Sequence, residues 1–441
     1  MQTRFTEAQL SDPAIGEANS ILRACVHCGL CTSTCPTYRL LGDELDSPRG
    51  RIYLMKEMLE QDRPPSPTDV RHIDRCLSCL SCMTACPAGV HYMHLVDHAR
   101  SHIEQTHDRP LVERLVRDLL GRILPYPGKV KWAMRAASLV RPVSGLLPGA
   151  LGRLAALAPQ EGINKVVTPL ALKTIYPAEG ERKFRVALLT GCVQQNVAPQ
   201  INAASIRVLT RQGCEVVVPP GAGCCGALTH HLGQEARTIV AAAANIRAWM
   251  PLLEGNGLDA IIVNASGCGT MVKDYGYLFR LDLELAEAAR RVASLAKDIS
   301  EFFIENFDDF SASMAKTPLS LRVAYQSACS LQHGQNIQHQ PVALLQSCGF
   351  EVTEPRDPHL CCGSAGTYNI LQPDIADRLR DEKITALAAT EPQVISSGNV
   401  GCMIQLEAVA PCPVVHTVEL LDWATGGPRP VALSGAALVE D

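Results

Sequence analysis

Two kinds of apolar spacing divide this chain. Over residues 14–24 (AIGEANSILRA), in Ile52-Tyr-Leu-Met-Lys-Glu-Met-Leu59 and in Leu111-Val-Glu-Arg-Leu-Val-Arg-Asp-Leu-Leu120, apolar side chains recur at helical intervals, which predicts amphipathic helices. From residue 184 short continuous apolar runs take over. Phe184-Arg-Val-Ala-Leu-Leu, Ala260-Ile-Ile-Val, Leu321-Arg-Val-Ala-Tyr and Val394-Ile-Ser-Ser read as strands, separated by helical segments near 199–212, 234–250, 341–348 and 373–389. That alternation predicts an α/β half with parallel strands. The expected fold class is α+β and multidomain. It comprises an N-terminal α-helical domain (1–108), a helical, proline-interrupted connector (109–182) and a duplicated cysteine-rich α/β half with repeats at 183–312 and 318–441.

The duplication is visible in the cysteines. Cys192 and Cys329 each end a strand, the next cysteine follows 32 residues later in both copies, and Cys224-Cys225-Gly226 is matched by Cys361-Cys362-Gly363. The third strand of each copy runs into Gly-Cys, at Cys268 and Cys402. All these thiols fall at strand ends, the edge at which open α/β sheets bind ligands. Gly221-Ala-Gly223-Cys-Cys-Gly226 spells a dinucleotide fingerprint, but the second copy has Pro358 and Leu360 at the first two glycine positions. What repeats is thiols, so no flavin or nicotinamide is expected on this chain.

A denser pattern lies in the helical domain. Cys25-Val-His-Cys28-Gly-Leu-Cys31-Thr-Ser-Thr-Cys35-Pro36 recurs as Cys76-Leu-Ser-Cys79-Leu-Ser-Cys82-Met-Thr-Ala-Cys86-Pro87. Each copy matches the bacterial ferredoxin run, in which three closely spaced thiolates grip one cluster and the fourth ligates its neighbour. The pairing expected is crossed: Cys25, Cys28, Cys31 and Cys86 on one [4Fe-4S] cluster, and Cys35, Cys76, Cys79 and Cys82 on the other. Two intervening residues let a loop curl round a cube, and Pro36 and Pro87 then steer the fourth cysteine away. Gly29 gives the first loop a permissive backbone, which the second must achieve with Leu80. The competing readings are zinc and disulfides. Arg49 and Arg51 either offset cluster charge or form surface ion pairs. His91, His94, His98 and His102 have helical spacing that suits a metal, although an ordinary partly exposed helix is the simpler reading.

With 441 residues, 47% of them hydrophobic, the chain can bury a sizeable core. A net charge of −5 with no long basic run argues against nucleic acid, and 19 cysteines in a reducing compartment argue for metal. The polar start MQTRFTEAQLSDP has no apolar signal core and no stretch suits a bilayer span, so a cytoplasmic location is expected. Residues 111–160 hold eight Arg or Lys against two Asp or Glu, with Trp132, Leu139, Val140, Leu146 and Leu147 interleaved and prolines at 125, 127, 142, 148 and 159. Such a surface either lies on an anionic membrane or packs onto the domains it joins.

In the second half, Cys192, Cys224, Cys225 and Cys268, and likewise Cys329, Cys361, Cys362 and Cys402, are candidate further metal sites; buried packing thiols are the alternative. Cys214, Cys348 and Cys412 lie outside the pattern and read as packing residues. These motifs resemble the Cys-Cys-Gly cysteine-rich family that includes heterodisulfide reductase subunits. That family's pattern ends in Cys-x-x-Cys, whereas Ala265 and Asn399 stand here at the first of those cysteines. Nearly the whole chain is similar to the iron-sulfur subunits of bacterial glycolate oxidase. The similarity rests on Ile21-Leu-Arg-Ala-Cys-Val-His-Cys-Gly-Leu-Cys, Cys35-Pro-Thr-Tyr, Pro48-Arg-Gly-Arg-Ile-Tyr-Leu and His359-Leu-Cys-Cys-Gly-Ser-Ala-Gly-Thr-Tyr. The resemblance implies a non-catalytic electron-transfer subunit, serving flavin-binding partners that oxidise glycolate and a quinone or membrane acceptor. Related lactate or glycerol-3-phosphate dehydrogenases and a thiol/disulfide reductase are the alternatives.

Overall fold

The computed structural model describes residues 1–141, 174–307 and 321–434, together with Gly152 and Phe310. The connector positions Pro142, Leu146, Leu147, Pro148 and Pro159, and the side chain of Val140, lie outside the described residues.

In the N-terminal part, helices Pro13–Ala24, Pro48–Glu60, Pro67–Asp74 and Tyr92–Thr106 pack around Leu22, Met55, Met58, Ile73, Leu95 and Ile103. The first three begin on a proline whose missing N–H would be unpaired anyway, behind Asp12, Ser47 or Ser66, whose side chain accepts a backbone N–H. The Ser47-Pro48 start explains why the second helix begins before the apolar repeat at Ile52.

Two sheets build the second half. β1 (Ile175–Tyr176), β2 (Phe184–Leu189), β3 (Cys214–Val217), β4 (Ala260–Val263) and β5 (Ala296–Asp298) lie in the order β1-β3-β2-β4-β5. β6 (Arg322–Gln326), β7 (Glu351–Thr353), β8 (Val394–Ser397) and β9 (Val414–His416) lie in the order β7-β6-β8-β9. All neighbours are parallel except β1, which pairs antiparallel with β3. The duplicated register is retained: Val186 pairs with Ala260, and its counterpart Val323 with Val394. In each sheet the first strand of the repeat lies between the second and third. The winding therefore reverses there and opens a crevice at the strand carboxyl ends.

The repeats share one core, in which helices Pro199–Arg211 and Thr417–Ala424 meet. Arg207 and Arg211 both donate to the buried Asp422 carboxylate, Arg207 Nε at 2.9 Å. The carboxyl edges of the two sheets face each other, since Ser266 Oγ meets Ser330 Oγ at 2.7 Å and Ser266 N–H donates to Gly398 O at 3.3 Å. No helix among the described residues is long and apolar enough to cross a membrane.

Candidate metal centres

The two N-terminal cysteine loops bend at the same places. His27 and Gly29 in the first, and Ser78 and Leu80 in the second, have φ of 57°, 82°, 49° and 63°. Left-handed backbone folds a loop back over a short length, freely for glycine and at a cost for leucine. Leu80 takes the strained conformation while its side chain is buried where repeat 2 approaches at Gly334.

Cys25, Cys28, Cys31 and Cys86 line one cavity. Cys35, Cys76 and Cys79 line a second, and Cys82 borders both. Four thiolates around one zinc ion would sit about 3.8 Å apart at the usual Zn–S length. Among the described residues no three cysteine sulfurs lie within 4.8 Å of one another. Four thiols gathered round each of two adjoining cavities, with none of them grouped tightly enough for one zinc ion, are a donor set that fits iron-sulfur clusters. Burial, reinforced by Cys25, pushes the Cys31 thiol up to about 11, and burial likewise raises Cys79 and Cys82. Such thiols ionise when a bound cation compensates the charge.

The arginines separate. Arg49 Nε donates to Glu44 at 2.7 Å near the surface, the ion-pair reading. Arg51 is fully buried: it donates to His72 O at 2.6 Å, Thr37 Oγ1 at 3.0 Å and Asp46 at 3.3 Å, with Nη1 3.9 Å from Cys35 Sγ. Asp43, Asp46 and His72 are close enough together to hold an ion, but Asp46 is already taken by Arg51, His72 and Arg75.

Each C-terminal set converges through sulfur contacts, Cys192 with Cys224, Cys224 with Cys225 and Cys225 with Cys268. The second set repeats the chain: Cys329, Cys361, Cys362, Cys402. Hydrogen bonds from Cys192 and Cys225, aided by the Gly226 N–H at 3.4 Å, hold Cys224 well below the usual thiol range. The glycines after the cysteine pairs are obligatory. Gly226 and Gly363 have φ of 93° and 81°, and a Cβ on Gly363 would lie 2.3 Å from Ala376 O. Asn399, standing where the family pattern has cysteine, donates to Cys402 Sγ at 3.3 Å.

The remaining expectations divide. Cys214 and Cys348 are buried in the core and Cys412 packs at its edge. In the dinucleotide-like stretch the Gly223 N–H donates to Asn245 Oδ1 at 2.7 Å and is not free for a phosphate. The histidines gather no metal geometry among the described residues and lie along a partly exposed helix, His91 exposed and His94, His98 and His102 half-buried. His94 stacks on Tyr277 at 3.3 Å and bonds Asp274 at 2.9 Å, tying Tyr92–Thr106 to repeat 1. The second cysteine loop joins repeat 2, because Leu77 and Cys79 pack with Cys329, Cys361 and Tyr368, whose hydroxyl donates to Arg75 O at 3.0 Å. Sequence reasoning missed Lys383. It is fully buried on helix Pro373–Ala388 beside the second thiol set, and the apolar stripe it interrupts was the available signal.

The 4Fe-4S dicluster domain family matches residues 21–90, and the cysteine-rich domain family matches twice, over 186–273 and 323–407. The chain is 41% identical over 424 residues to the glycolate oxidase iron-sulfur subunit of Escherichia coli (strain K12), covering 96% of this chain and 99% of that protein. It is 33% identical over 423 residues to the probable glycolate oxidase iron-sulfur subunit of Bacillus subtilis (strain 168), covering 91% and 94%. Lactate utilization protein A of Bacillus licheniformis is 26% identical over 248 residues, 54% of this chain and 99% of that protein. Two cluster-type loops, two cysteine-rich repeats and end-to-end similarity agree: the chain belongs to the glycolate oxidase iron-sulfur subunit family.

Proposed function

We propose that this chain is the electron-transfer subunit of a glycolate-oxidising complex, taking electrons from flavin-binding partners that convert glycolate to glyoxylate and passing them toward a quinone-type acceptor. The observation that carries the reading is the pair of adjoining cavities, one bordered by Cys25, Cys28 and Cys31 of the first loop with Cys86 and Cys82 of the second, the other by Cys76, Cys79 and Cys82 of the second loop with Cys35 of the first. On it, Cys25, Cys28, Cys31 and Cys86 hold one [4Fe-4S] cluster, and Cys35, Cys76, Cys79 and Cys82 the other. Bound clusters supply one-electron transfer at potentials set by charge, hydrogen bonds and exposure. The chain supplies the rest. Arg51 brings a positive charge to Cys35, and Tyr92 Oη and the Ser78 N–H donate to Cys76 Sγ at 3.6 and 3.5 Å. Cys28 is exposed beside exposed Val26 and Leu30, which makes the first loop the face for a flavoprotein, while the second loop faces inward to repeat 2.

Exposed Leu111, Val112, Leu115 and Trp132, close in sequence to Lys129, Lys131 and Arg135, support contact with the cytoplasmic membrane surface near such an acceptor. The test compares the isolated chain with the reconstituted complex. The chain alone should show reducible paramagnetic signals and no glycolate oxidation, and Cys28→Ser in the complex should spare glycolate-dependent flavin reduction while stopping quinone reduction. Glycolate oxidation by the isolated chain would refute the reading. A second reading, thiol or disulfide reduction at Cys224-Cys225, draws on the lowered Cys224 thiol. It requires that the complex cleave a disulfide substrate and that Cys224→Ser abolish this.

A further inference from the structure

Helix Pro373–Ala388 buries Ile375, Leu379, Lys383 and Leu387 along one stripe, and Lys383 has 0% of its surface exposed. An ammonium in such a stripe is strongly unfavourable without compensating charge. Its hydrogen bond goes to Pro358 O at 2.9 Å, and among the described residues it has no carboxylate partner. Burial pulls it below the usual lysine range, and the nearby Cys329, Cys362, Cys361 and Cys402 pull it back up, so an ammonium there depends on negative charge at those sulfurs. Repeat 1 is built differently at the same place. Gly226 packs on Thr238 and Gly363 on Ala376, and seven residues beyond each contact stand Asn245 and Lys383. Asn245 is neutral and spends its amide on Cys224 O at 2.8 Å and the Gly223 N–H.

We propose that Lys383 is a fixed countercharge for a net-negative thiolate-metal centre held by Cys329, Cys361, Cys362 and Cys402, making repeat 2 the more readily reduced of the two repeats. The inference rests on reading the chain as an iron-sulfur relay. With such a centre bound, Cys329, Cys361, Cys362 and Cys402 would hold a one-electron acceptor for the centre of the second cysteine loop, the loop centre being oxidised as the repeat-2 centre is reduced, with no bond made or broken. The added negative charge is favoured beside the ammonium, and the apolar contact of Leu77 and Cys79 with Cys329 and Cys361 gives the short path.

The experiment uses anaerobically purified complex carrying wild-type, Lys383→Met or Lys383→Arg chains, with iron and sulfide analysis and a redox titration followed by paramagnetic resonance. The wild type should show a third signal and more than the roughly eight irons of two cubanes. In Lys383→Met that signal's reduction equilibrium should fall about tenfold, ~59 mV for one electron, with the two ferredoxin signals unmoved and Lys383→Arg close to wild type. A third signal unmoved in Lys383→Met, or shifted equally in Lys383→Arg, overturns the role of the lysine alone. Two signals and eight irons in the wild type overturn the repeat-2 centre and leave the ferredoxin relay standing. Absence of reducible iron altogether refutes the relay itself.

Discussion

Cys35 decides whether the ligation is crossed. Its sulfur belongs by sequence to the first loop but borders the cavity of the second, with Thr37 Oγ1 3.3 Å and Asp46 O 3.6 Å away. Cys35→Ser should therefore cost about four of the eight irons and leave the centre of Cys25, Cys28 and Cys31 intact. Cys31→Ser should do the reverse; iron analysis with paramagnetic resonance of both variants checks the pair, and loss of the same signal in both contradicts the crossing. Arg51 is a second residue whose removal is informative. Arg51→Met leaves buried Asp46 with only His72 and Arg75, and breaking a buried pair costs about 3 kcal/mol, to be read from denaturant unfolding. At Leu80 two terms compete: left-handed strain of about 1–2 kcal/mol against side-chain burial of about 1.5–3 kcal/mol. Burial is the larger, so Leu80→Gly should destabilise slightly, by about 1 kcal/mol, although it relaxes the backbone.

Among the elements, the amphipathic helix Leu111–Ile123 has two apolar faces with different fates. Val116 and Leu120 are buried against Leu232 and Ile370, whereas Leu111, Val112 and Leu115 are more than 60% exposed. Leu120→Ala should lower stability by about 2–3 kcal/mol through the cavity it leaves, and Leu115→Ser should change it by less than about 0.5 kcal/mol. Thermal unfolding of the two variants side by side tests the division; equal losses would mean the outer face is also packed. Periodicity exposed this helix and its amphipathicity but not which apolar stripe finds a partner, because Leu232 and Ile370 lie far along the chain. The same limit explains the other omissions. β5 and β9 are three residues each, too short for a pattern, and β1 reverses direction in two. The cysteine sets were legible because ligand geometry imposes spacing. The bend at Leu80, the His94–Tyr277 stack and Lys383 were not, since each depends on what another segment places beside it.

Across the whole molecule, buried and half-buried histidines stand where its parts join. Half-buried His231 borders a cavity with Arg100, Arg117 and Tyr368; His333 Nδ1 bonds Thr84 at 2.8 Å between repeat 2 and the second cysteine loop. His416 caps helix Thr417–Ala424, its Nδ1 accepting the Val418 N–H at 3.2 Å. Burial lowers all three to about 4, so the fold holds them neutral where an unfolded chain would protonate them near 6.5. The unfolded state therefore gains protons first as pH falls. Their contribution to stability should decline from about pH 6.5 to about 4, each histidine adding a slope of up to about 1.4 kcal/mol per pH unit, and level below. His230 opposes this: against the pull of burial, Asp97 raises it, adding stability below 6.5 that is lost as pH rises through its folded value. Glu419, raised to about 7 by burial, and Asp298, raised to about 6 by burial, also take up protons first in the fold and oppose the decline, so the histidine share is read as a difference between variants. Substitution by the neutral isosteres His333→Asn and His416→Asn should raise the urea midpoint at pH 5 relative to that at pH 7 when compared with wild type, and an unchanged difference in the double variant would show that these histidines carry no acid sensitivity.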